Sequence, residues 1–277
     1  DLERKRKFVE QFAFMEPDRY WHYLHHLYPQ NNFLVCALDI AAWDIYGKIR
    51  QQPLCKLWNL DMSNAPLTDY TIGIDAIEKM VEKMKEKPWP IYKIKLGTPE
   101  DIAIVTELRK HTDAIFRVDA NAGWTTGEAL EKIPVLADLG VEMIEPPLAK
   151  DNWEGMKKLF AVSKVPLIAD EACVVEQDVE RCHGYFHGIN IKLTKCSGIT
   201  PALRMISKAR SLDMKVMVGS MNESTIGSAA IAHLSPMLDY IDADGPLLLS
   251  EDLATGLAYE AGRVSVSEGF GLGIQLK

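Results

Sequence analysis

The sequence predicts an α/β protein that folds as a (β/α)8 TIM barrel behind an N-terminal helical segment. Eight short apolar runs, each ending in polar residues, alternate with charged amphipathic segments after residue 65. The runs begin about 25 residues apart, the length that one strand, one helix and two loops require. An open doubly wound sheet is the structural alternative, but the sequence contains no GxGxxG and no phosphate-binding loop.

The predicted strands lie in eight runs spread evenly over residues 66–250. They are TDYTIGI (68–74), IYKIKLG (91–97), IFRVDAN (115–121), VEMIEPP (141–147), PLIADEA (166–172), GINIKLT (188–194), KVMVGSM (215–221) and YIDADGP (240–246). Residues 1–65 are expected to be helical, because apolar residues in VCALDIAAWDIYGKI recur at three- and four-residue spacing. Residues 251–277 follow the eighth strand and are expected to pack back onto the helical segment.

The composition is that of a globular protein. The chain has 277 residues, 47% of them hydrophobic and 25% charged, and a formal net charge of −8. This acidic balance argues against nucleic acid as a partner. Asp39 and Asp44 interrupt the longest apolar stretch, which argues against membrane association through a spanning helix. Five cysteines without a CxxC pair, and an N-terminus without a signal-peptide apolar region, predict a cytoplasmic protein; a homo-oligomer stays open.

Three carboxylates end consecutive predicted strands. Asp119, Glu145 and Asp170 close strands three, four and five, and catalytic groups of a barrel lie at this end of the strands. Like charges that converge repel one another unless a cation neutralises them. A ligand set made of oxygen atoms alone favours Mg²⁺ over zinc or copper. The sequence therefore predicts one Mg²⁺ per subunit.

Lysines end the predicted strands on either side of these carboxylates. Lys93 and Lys95 share one face of strand two by alternation, and Lys192 ends strand six, on the opposite side of an eight-strand ring. Lys95 and Lys192 can therefore face each other across a ligand on the metal. One would remove a proton from the carbon beside a carboxylate, and the other would return a proton to the opposite face. An ion pair of Lys192 with a carboxylate, without a catalytic role, is the alternative.

The motifs KIKLG, VDANAGW, IEPP, ADE and NIKLTKCSGI, in this order and spacing, resemble the enolase superfamily and its muconate-lactonizing subgroup. ALDIAAWDIYGK (37–48) resembles the helix that joins the capping domain of that family to its barrel. The resemblance implies that Asp119, Glu145 and Asp170 bind Mg²⁺ and that Lys95 and Lys192 are the acid/base pair. It further implies that Lys93 holds the substrate carboxylate and tunes Lys95, and that Asn121 and Glu171 support the ligands.

Two aspartates help to choose within the subgroup. In its dipeptide epimerases an Asp-x-Asp at the end of strand eight binds the free α-ammonium of the substrate, and Asp242 and Asp244 match it. VGSMNES (218–224) is also similar to these enzymes and implies that Met221 contacts substrate. The resemblance therefore implies 1,1-proton transfer, through an enediolate, at the C-terminal residue of a dipeptide of the L-Ala-D/L-Glu type found in murein peptides.

Other activities of the subgroup stay open as alternatives. They are N-acylamino acid racemase and cycloisomerase, the latter of the muconate or o-succinylbenzoate type, and a non-catalytic metal-binding barrel is a more remote alternative. The sequence departs from the family pattern where Glu145 is followed by two prolines. The antiparallel sheet that opens the family's capping domain is also missing here. We therefore expect a partial, helical cap and a longer parent protein.

Overall fold

The structure, a computed structural model, describes residues 2–277. Its N-terminal part is helical, with α1 (Leu2–Glu10), α2 (Pro17–Leu27), α3 (Asn32–Arg50), α4 (Leu54–Leu57) and a 3-10 turn (Met62–Asn64). The side chain of Asn31 accepts a hydrogen bond from the backbone of Leu34 and so caps the start of α3. Trp21 and Val35 belong to a small apolar core between α2 and α3. This core packs α2 against α3.

Eight strands follow, and each lies inside its predicted run. They are β1 (Tyr70–Ile72), β2 (Ile91–Lys95), β3 (Ile115–Asp119), β4 (Val141–Glu145), β5 (Ile168–Ala169), β6 (Gly188–Ile191), β7 (Lys215–Gly219) and β8 (Tyr240–Asp242). Most of their residues are buried, as strands covered on both faces require.

A helix follows each of these eight strands. The helices are α5 (Ile77–Glu86), α6 (Asp101–Arg109), α7 (Thr126–Asp138), α8 (Trp153–Val162), α9 (Glu176–Cys182), α10 (Leu193–Cys196), α11 (Ile199–Ser211), α12 (Thr225–Leu234), a 3-10 turn (Ser235–Met237) and α13 (Gly245–Leu248). Thr125 and Glu128 form a reciprocal cap at the start of α7. No helix among residues 2–277 has the length and apolar character that crossing a bilayer demands.

The strands form two parallel four-stranded sheets, in the orders β1-β2-β3-β4 and β5-β6-β7-β8. The fold is therefore α/β with parallel sheets. Single parallel bridges connect Ile144 with Leu167 and Thr68 with Ile241, next to the outer strands of the two sheets. Within the first sheet, Lys95, Asp119 and Glu145 lie side by side in register. The parallel register thus places the ends of β2, β3 and β4 at one edge.

The C-terminal tail contains short antiparallel strands that the sequence did not indicate. They are β9 (Ala254–Thr255), β10 (Leu257–Glu260), β11 (Arg263–Val266) and β12 (Gln275–Leu276), and they pair as β10 with β11 and β9 with β12. Gly271 exchanges backbone hydrogen bonds with Gln52 and Leu54, and the backbone of Leu272 donates to Asp44 in α3. The tail thus contacts the end of α3 and the start of α4.

Candidate active site

The ends of β2 and β3 bring a lysine and a carboxylate together. Lys95 Nζ lies 2.5 Å from Asp119 Oδ2, and the backbone N–H of Asn121 donates to Asp119 Oδ1 over 3.0 Å. Asn121 has a positive φ of 48°, so the chain turns sharply after β3 and aims this N–H back at the carboxylate. Burial raises the pKa of Asp119, but the ammoniums of Lys93 and Lys95 outweigh it and lower this pKa to about 2.

Lys93 is buried at the centre of the carboxylates, with only 2% of its surface exposed. Its Nζ lies 2.8 Å from Glu145 Oε1, 3.0 Å from Asp242 Oδ2 and 3.6 Å from Asp119 Oδ2. Burial lowers the pKa of Lys93, but these three carboxylates raise it well above its usual range. Lys93 is therefore charged and fixed among acidic groups that end β3, β4 and β8.

Glu145 is held on one oxygen and has no hydrogen bond on the other. Its Oε2 accepts from the side-chain amide of Asn190 over 2.7 Å. Its Oε1 is within ion-pair distance of Lys93 but makes no hydrogen bond among the described residues. Burial raises the pKa of Glu145; Lys93 lowers it, and the charges of Asp119 and Asp170 raise it further. The three predicted metal ligands therefore share one electrostatic environment.

A second group of charges lies at the ends of β5 and β6. Asp170 receives Lys192 Nζ on Oδ2 and Lys195 Nζ on Oδ1, each over 2.7 Å. Lys195 also lies 3.3 Å from Glu171, whose side chain is half exposed. No role was assigned to Lys195 from the sequence. The signal was its spacing, because Lys192 and Lys195 are one helical turn apart at α10.

Asp242 and Asp244 are both buried at the end of β8. Asp244 Oδ2 accepts from the backbone N–H of Thr71 over 2.7 Å, whereas Asp242 pairs with Lys93. Burial and the charge of Asp242 raise the pKa of Asp244 to about 7, whereas burial of Asp242 is outweighed by the ammonium of Lys93, which lowers the pKa of Asp242. The two aspartates therefore titrate in separate steps, and the pair keeps a negative charge on Asp242 near neutral pH.

The loop after β7 adds a carboxylate that sequence reasoning missed. Met221 is exposed at the rim, and its sulfur lies 3.5 Å from the hydroxyl of Thr194. Its backbone N–H donates to Glu223 Oε2, while Glu223 Oε1 is buried without a hydrogen bond in the described chain. Burial raises the pKa of Glu223, and the charge of Asp242 adds to this effect. The motif VGSMNES contained the signal, but only Met221 was singled out.

A cavity of about 610 Å³ lies between α3 and the C-terminal tail. It borders the site at Thr194 and Glu223, but most of its walls are apolar side chains such as Phe33, Ile40 and Leu272. The charged groups of the strand ends do not line it. The charged groups that can carry out chemistry therefore lie at the strand ends and not in this apolar cavity.

The carboxylates fit a magnesium ion in chemistry, although their side chains are turned toward lysines. Within residues 2–277, no three Asp, Glu, His or Cys side chains are arranged as a ready metal cluster. The reason is that ammonium groups lie between Asp119, Glu145 and Asp170 and bind their oxygens. The donor set is all oxygen, as a hard cation prefers, and the ammonium of Lys93 lies against Glu145 Oε1.

Comparison with known proteins agrees with this geometry. The sequence model of the enolase C-terminal domain-like family matches residues 75–277. The chain belongs to the enolase superfamily. The predicted membership of this superfamily is confirmed.

Relatives within the superfamily include enzymes that act on dipeptides. An L-Ala-D/L-amino acid epimerase of Flavobacterium johnsoniae is 52% identical over 276 residues, covering 100% of this chain and 82% of the relative. An L-Ala-D/L-Glu epimerase of Bacteroides thetaiotaomicron is 36% identical, covering 91% and 67%. A dipeptide epimerase of Cytophaga hutchinsonii, solved with Mg and the dipeptide D-Ala-L-Val, superimposes with a TM-score of 0.89 at 28% identity, covering 96% and 76%.

Proposed function

We propose that this member of the enolase superfamily is a Mg²⁺-dependent dipeptide epimerase, which moves the α-proton of the C-terminal residue between the two faces of its α-carbon. The observation that carries the substrate class is the buried pair Asp242 and Asp244 at the end of β8. Lys93 keeps the pKa of Asp242 low, so this pair of carboxylates keeps a negative charge for an ammonium group. The dipeptide epimerases among the relatives support the same substrate class.

The two sheets are proposed to close into one (β/α)8 barrel whose mouth holds this site. Support comes from the bridges Ile144–Leu167 and Thr68–Ile241, which connect the sheets at both edges. Residues 1–65 would be the helical part of a cap, 66–250 the barrel and 251–277 a tail on the cap. The five cysteines are buried free thiols, which suits the reducing cytoplasm proposed above.

The proposed chemistry divides among five side chains. Asp119, Glu145 and Asp170 would hold Mg²⁺, which, when bound, supplies positive charge against the negative charge that develops on the substrate carboxylate. Lys95 on β2 and Lys192 after β6 approach the carboxylates from different sheets. Each lysine would remove or return the proton on its own face of the α-carbon.

The remaining side chains would hold the substrate. Asp242 and Asp244 bind the α-ammonium, and Lys93 is proposed to orient the substrate carboxylate and to tune Lys95. Met221 at the rim would contact the substrate, and Asn121 and Glu171 would support Asp119 and Asp170. An L-Ala-D/L-Glu dipeptide, a unit of murein peptides, is the proposed substrate type.

Proton NMR in D₂O with Mg²⁺ tests this proposal on L-Ala-L-Glu and N-acetyl-L-Glu. We expect loss of the α-proton signal of the dipeptide's C-terminal residue and growth of its diastereomer. Lys95→Ala and Lys192→Ala should each stop epimerisation but leave exchange in one epimer, a different epimer for each variant. Exchange confined to N-acetyl-L-Glu would instead establish an N-acylamino acid racemase, and no exchange at all would contradict the catalytic roles.

A further inference from the structure

A carboxylate outside the site fixes the loop that follows Lys95. Asp101 is the first residue of α6, and its side chain is completely buried. Its Oδ1 accepts three hydrogen bonds, from Gly97 N (3.0 Å), Thr98 N (2.8 Å) and Thr98 Oγ1 (2.9 Å). Gly97 comes two residues after Lys95. Asp101 therefore sets the path of the chain directly behind the end of β2.

The other oxygen of Asp101 holds the next loop. Asp101 Oδ2 accepts from Trp124 Nε1 over 2.6 Å and from Lys132 Nζ over 2.9 Å. Trp124 lies in the loop after β3, and its backbone N–H donates to Pro147 O in the loop after β4 over 3.1 Å. One carboxylate thus links the loops that follow Lys95 and Asp119, and Trp124 extends the link to the loop that follows Glu145.

The backbones of the loops after β2 and β3 are in direct contact, and no side chain fits between them. Gly97 has a positive φ of 117°, and a Cβ there would lie 2.9 Å from Ala120 O. A Cβ on Gly123 would lie 2.8 Å from Gly97 Cα. Because the backbones are in direct contact, a displacement of the first loop must displace the second. The end of β2 and the end of β3 therefore move together.

The buried charge of Asp101 is fully paired. Burial raises the pKa of this carboxyl, but hydrogen bonds from Thr98, Lys132 and Trp124 outweigh it and keep the pKa below its usual value. None of its hydrogen bonds within residues 2–277 goes to a predicted site residue. Its five hydrogen bonds go to two loops and helix α7, so Asp101 positions these elements and does not take part in the reaction itself.

We propose that Asp101 is the positioning residue of Lys95: it fixes the loops after β2 and β3 so that the Lys95 ammonium lies in reach of its face of the α-carbon. This inference rests on the proposed epimerase function. Lys192 follows β6 in the other sheet and has no connection to this network among the described contacts. The two lysines are thus held by different contacts, and at saturating Mg²⁺ loss of Asp101 should slow exchange of the Lys95-dependent epimer more than exchange of the other epimer.

The test uses the two epimers of the substrate as separate probes of the two lysines. Lys95→Ala and Lys192→Ala first define which epimer each lysine deprotonates, by α-proton exchange in D₂O with Mg²⁺. In Asp101→Asn the amide keeps the shape but presents N–H groups to Trp124 and Lys132, which are donors themselves. We expect kcat for exchange of the Lys95-dependent epimer to fall about tenfold or more, since small displacements of a reacting group cost up to about 100-fold. KM and exchange of the other epimer should change less than about threefold.

Asp39→Asn is the matched control. Asp39 is also completely buried, and it accepts from Thr200 N and Thr200 Oγ1, which joins α3 to α11. Its loss should not lower exchange of the Lys95-dependent epimer selectively. If Asp101→Asn does not fold, Trp124→Phe removes one donor to Asp101 Oδ2 and should give the same asymmetry more weakly. An equal fall for both epimers in the folded variants, or no fall, would overturn the inference.

A substrate-free measurement separates this inference from the proposed function. Acetic anhydride modifies lysine amines, and peptide mass spectrometry reads Lys95 and Lys192 separately. In Asp101→Asn the modification rate should change at least about threefold at Lys95, because the surroundings of its amine change, and stay constant at Lys192. A wild type that exchanges neither epimer contradicts the epimerase function, and this labelling then decides the inference. Equal rates at Lys95 in wild type and variant would overturn it.

Discussion

Lys93 Nζ lies 3.0 Å from Asp242 Oδ2, and this contact connects the proposed metal site with the proposed ammonium site. The same ammonium lies 2.8 Å from Glu145 Oε1. A buried cation between acidic groups offsets their repulsion, and its removal leaves uncompensated charge in the interior. The stability of the metal-free protein should therefore depend on Lys93 more than on any exposed lysine.

Lys93→Met should lower the free energy of unfolding of the metal-free protein by about 3–5 kcal/mol, the usual effect of removing one partner of a buried ion pair. Mg²⁺ can replace the missing positive charge, so saturating Mg²⁺ should recover at least about 2 kcal/mol of this loss. Urea denaturation with and without Mg²⁺ measures both quantities. Lys158→Met is the control, because Lys158 pairs with Glu154 only on the surface and should change stability by less than about 0.5 kcal/mol. The same loss with and without Mg²⁺ would contradict the role of Lys93.

Binding of a free-amine dipeptide should strengthen as the pH rises from 6 to 7.5. Burial and Asp242 raise the pKa of Asp244 to about 7, so this carboxyl is neutral below that pH and charged above it. The additional charge can accept a charge-assisted hydrogen bond from the ammonium, worth about 1.5–3 kcal/mol. The expected result is a fall of about tenfold in KM across this range.

The other groups around Asp244 do not reproduce this dependence. Apart from Asp242 they are Asp69, Tyr70 and Tyr259. Burial raises the pKa values of all three, so the tyrosines stay neutral in this range. The Asp244→Asn variant separates the titration of Asp69 from that of Asp244. In Asp244→Asn the KM should be higher and flat between pH 6 and 7.5. Steady-state kinetics at each pH measure it, and a wild-type slope retained in Asp244→Asn would assign the titration to another group.

The strands and the charges at their ends were predictable because they depend on local patterns. Alternation places Lys93 and Lys95 on one face, and the even spacing of the runs places Asp119 and Glu145 at the ends of neighbouring strands. Membership of the enolase superfamily was predictable from the motifs at the same strand ends. Parallel neighbours then bring together side chains that are about 25 residues apart in sequence.

Contacts between distant side chains were not predictable. Arg117 is buried in β3 and pairs with Asp69 over 3.0 Å and with Glu142 over 2.8 Å, yet its periodicity shows only which face it occupies. Asn121 acts on Asp119 through its backbone N–H, which depends on a local turn and not on its side chain. The sequence thus shows which groups share a face, but packing decides which of them touch.

Asp170→Asn should weaken Mg²⁺ binding by more than about 100-fold, since loss of a mere supporting group already costs about 10–100-fold. Asp170 is the carboxylate that Lys192 and Lys195 both contact, so its loss also frees both ammoniums. Isothermal titration with Mg²⁺ measures the affinity. Glu154→Gln is the control, because Glu154 is exposed and pairs with Lys158 on the surface; the Mg²⁺ affinity of this variant should stay within about threefold. Comparable losses in the two variants would argue against Asp170 as a ligand.

Gly198→Ala should destabilise the connection that follows Lys192. Gly198 has a φ of 133°, and a Cβ there would lie 2.7 Å from Asp39 Cγ in α3. Backbone strain and overlap with a buried side chain each cost about 1–3 kcal/mol, so the free energy of unfolding should fall by about 2–6 kcal/mol. Gly127→Ala is the control, because Gly127 lies in α7 with open space at its Cβ and should change stability by less than about 1 kcal/mol. Urea denaturation compares the two variants, and equal unfolding free energies would contradict the direct contact between Gly198 and Asp39.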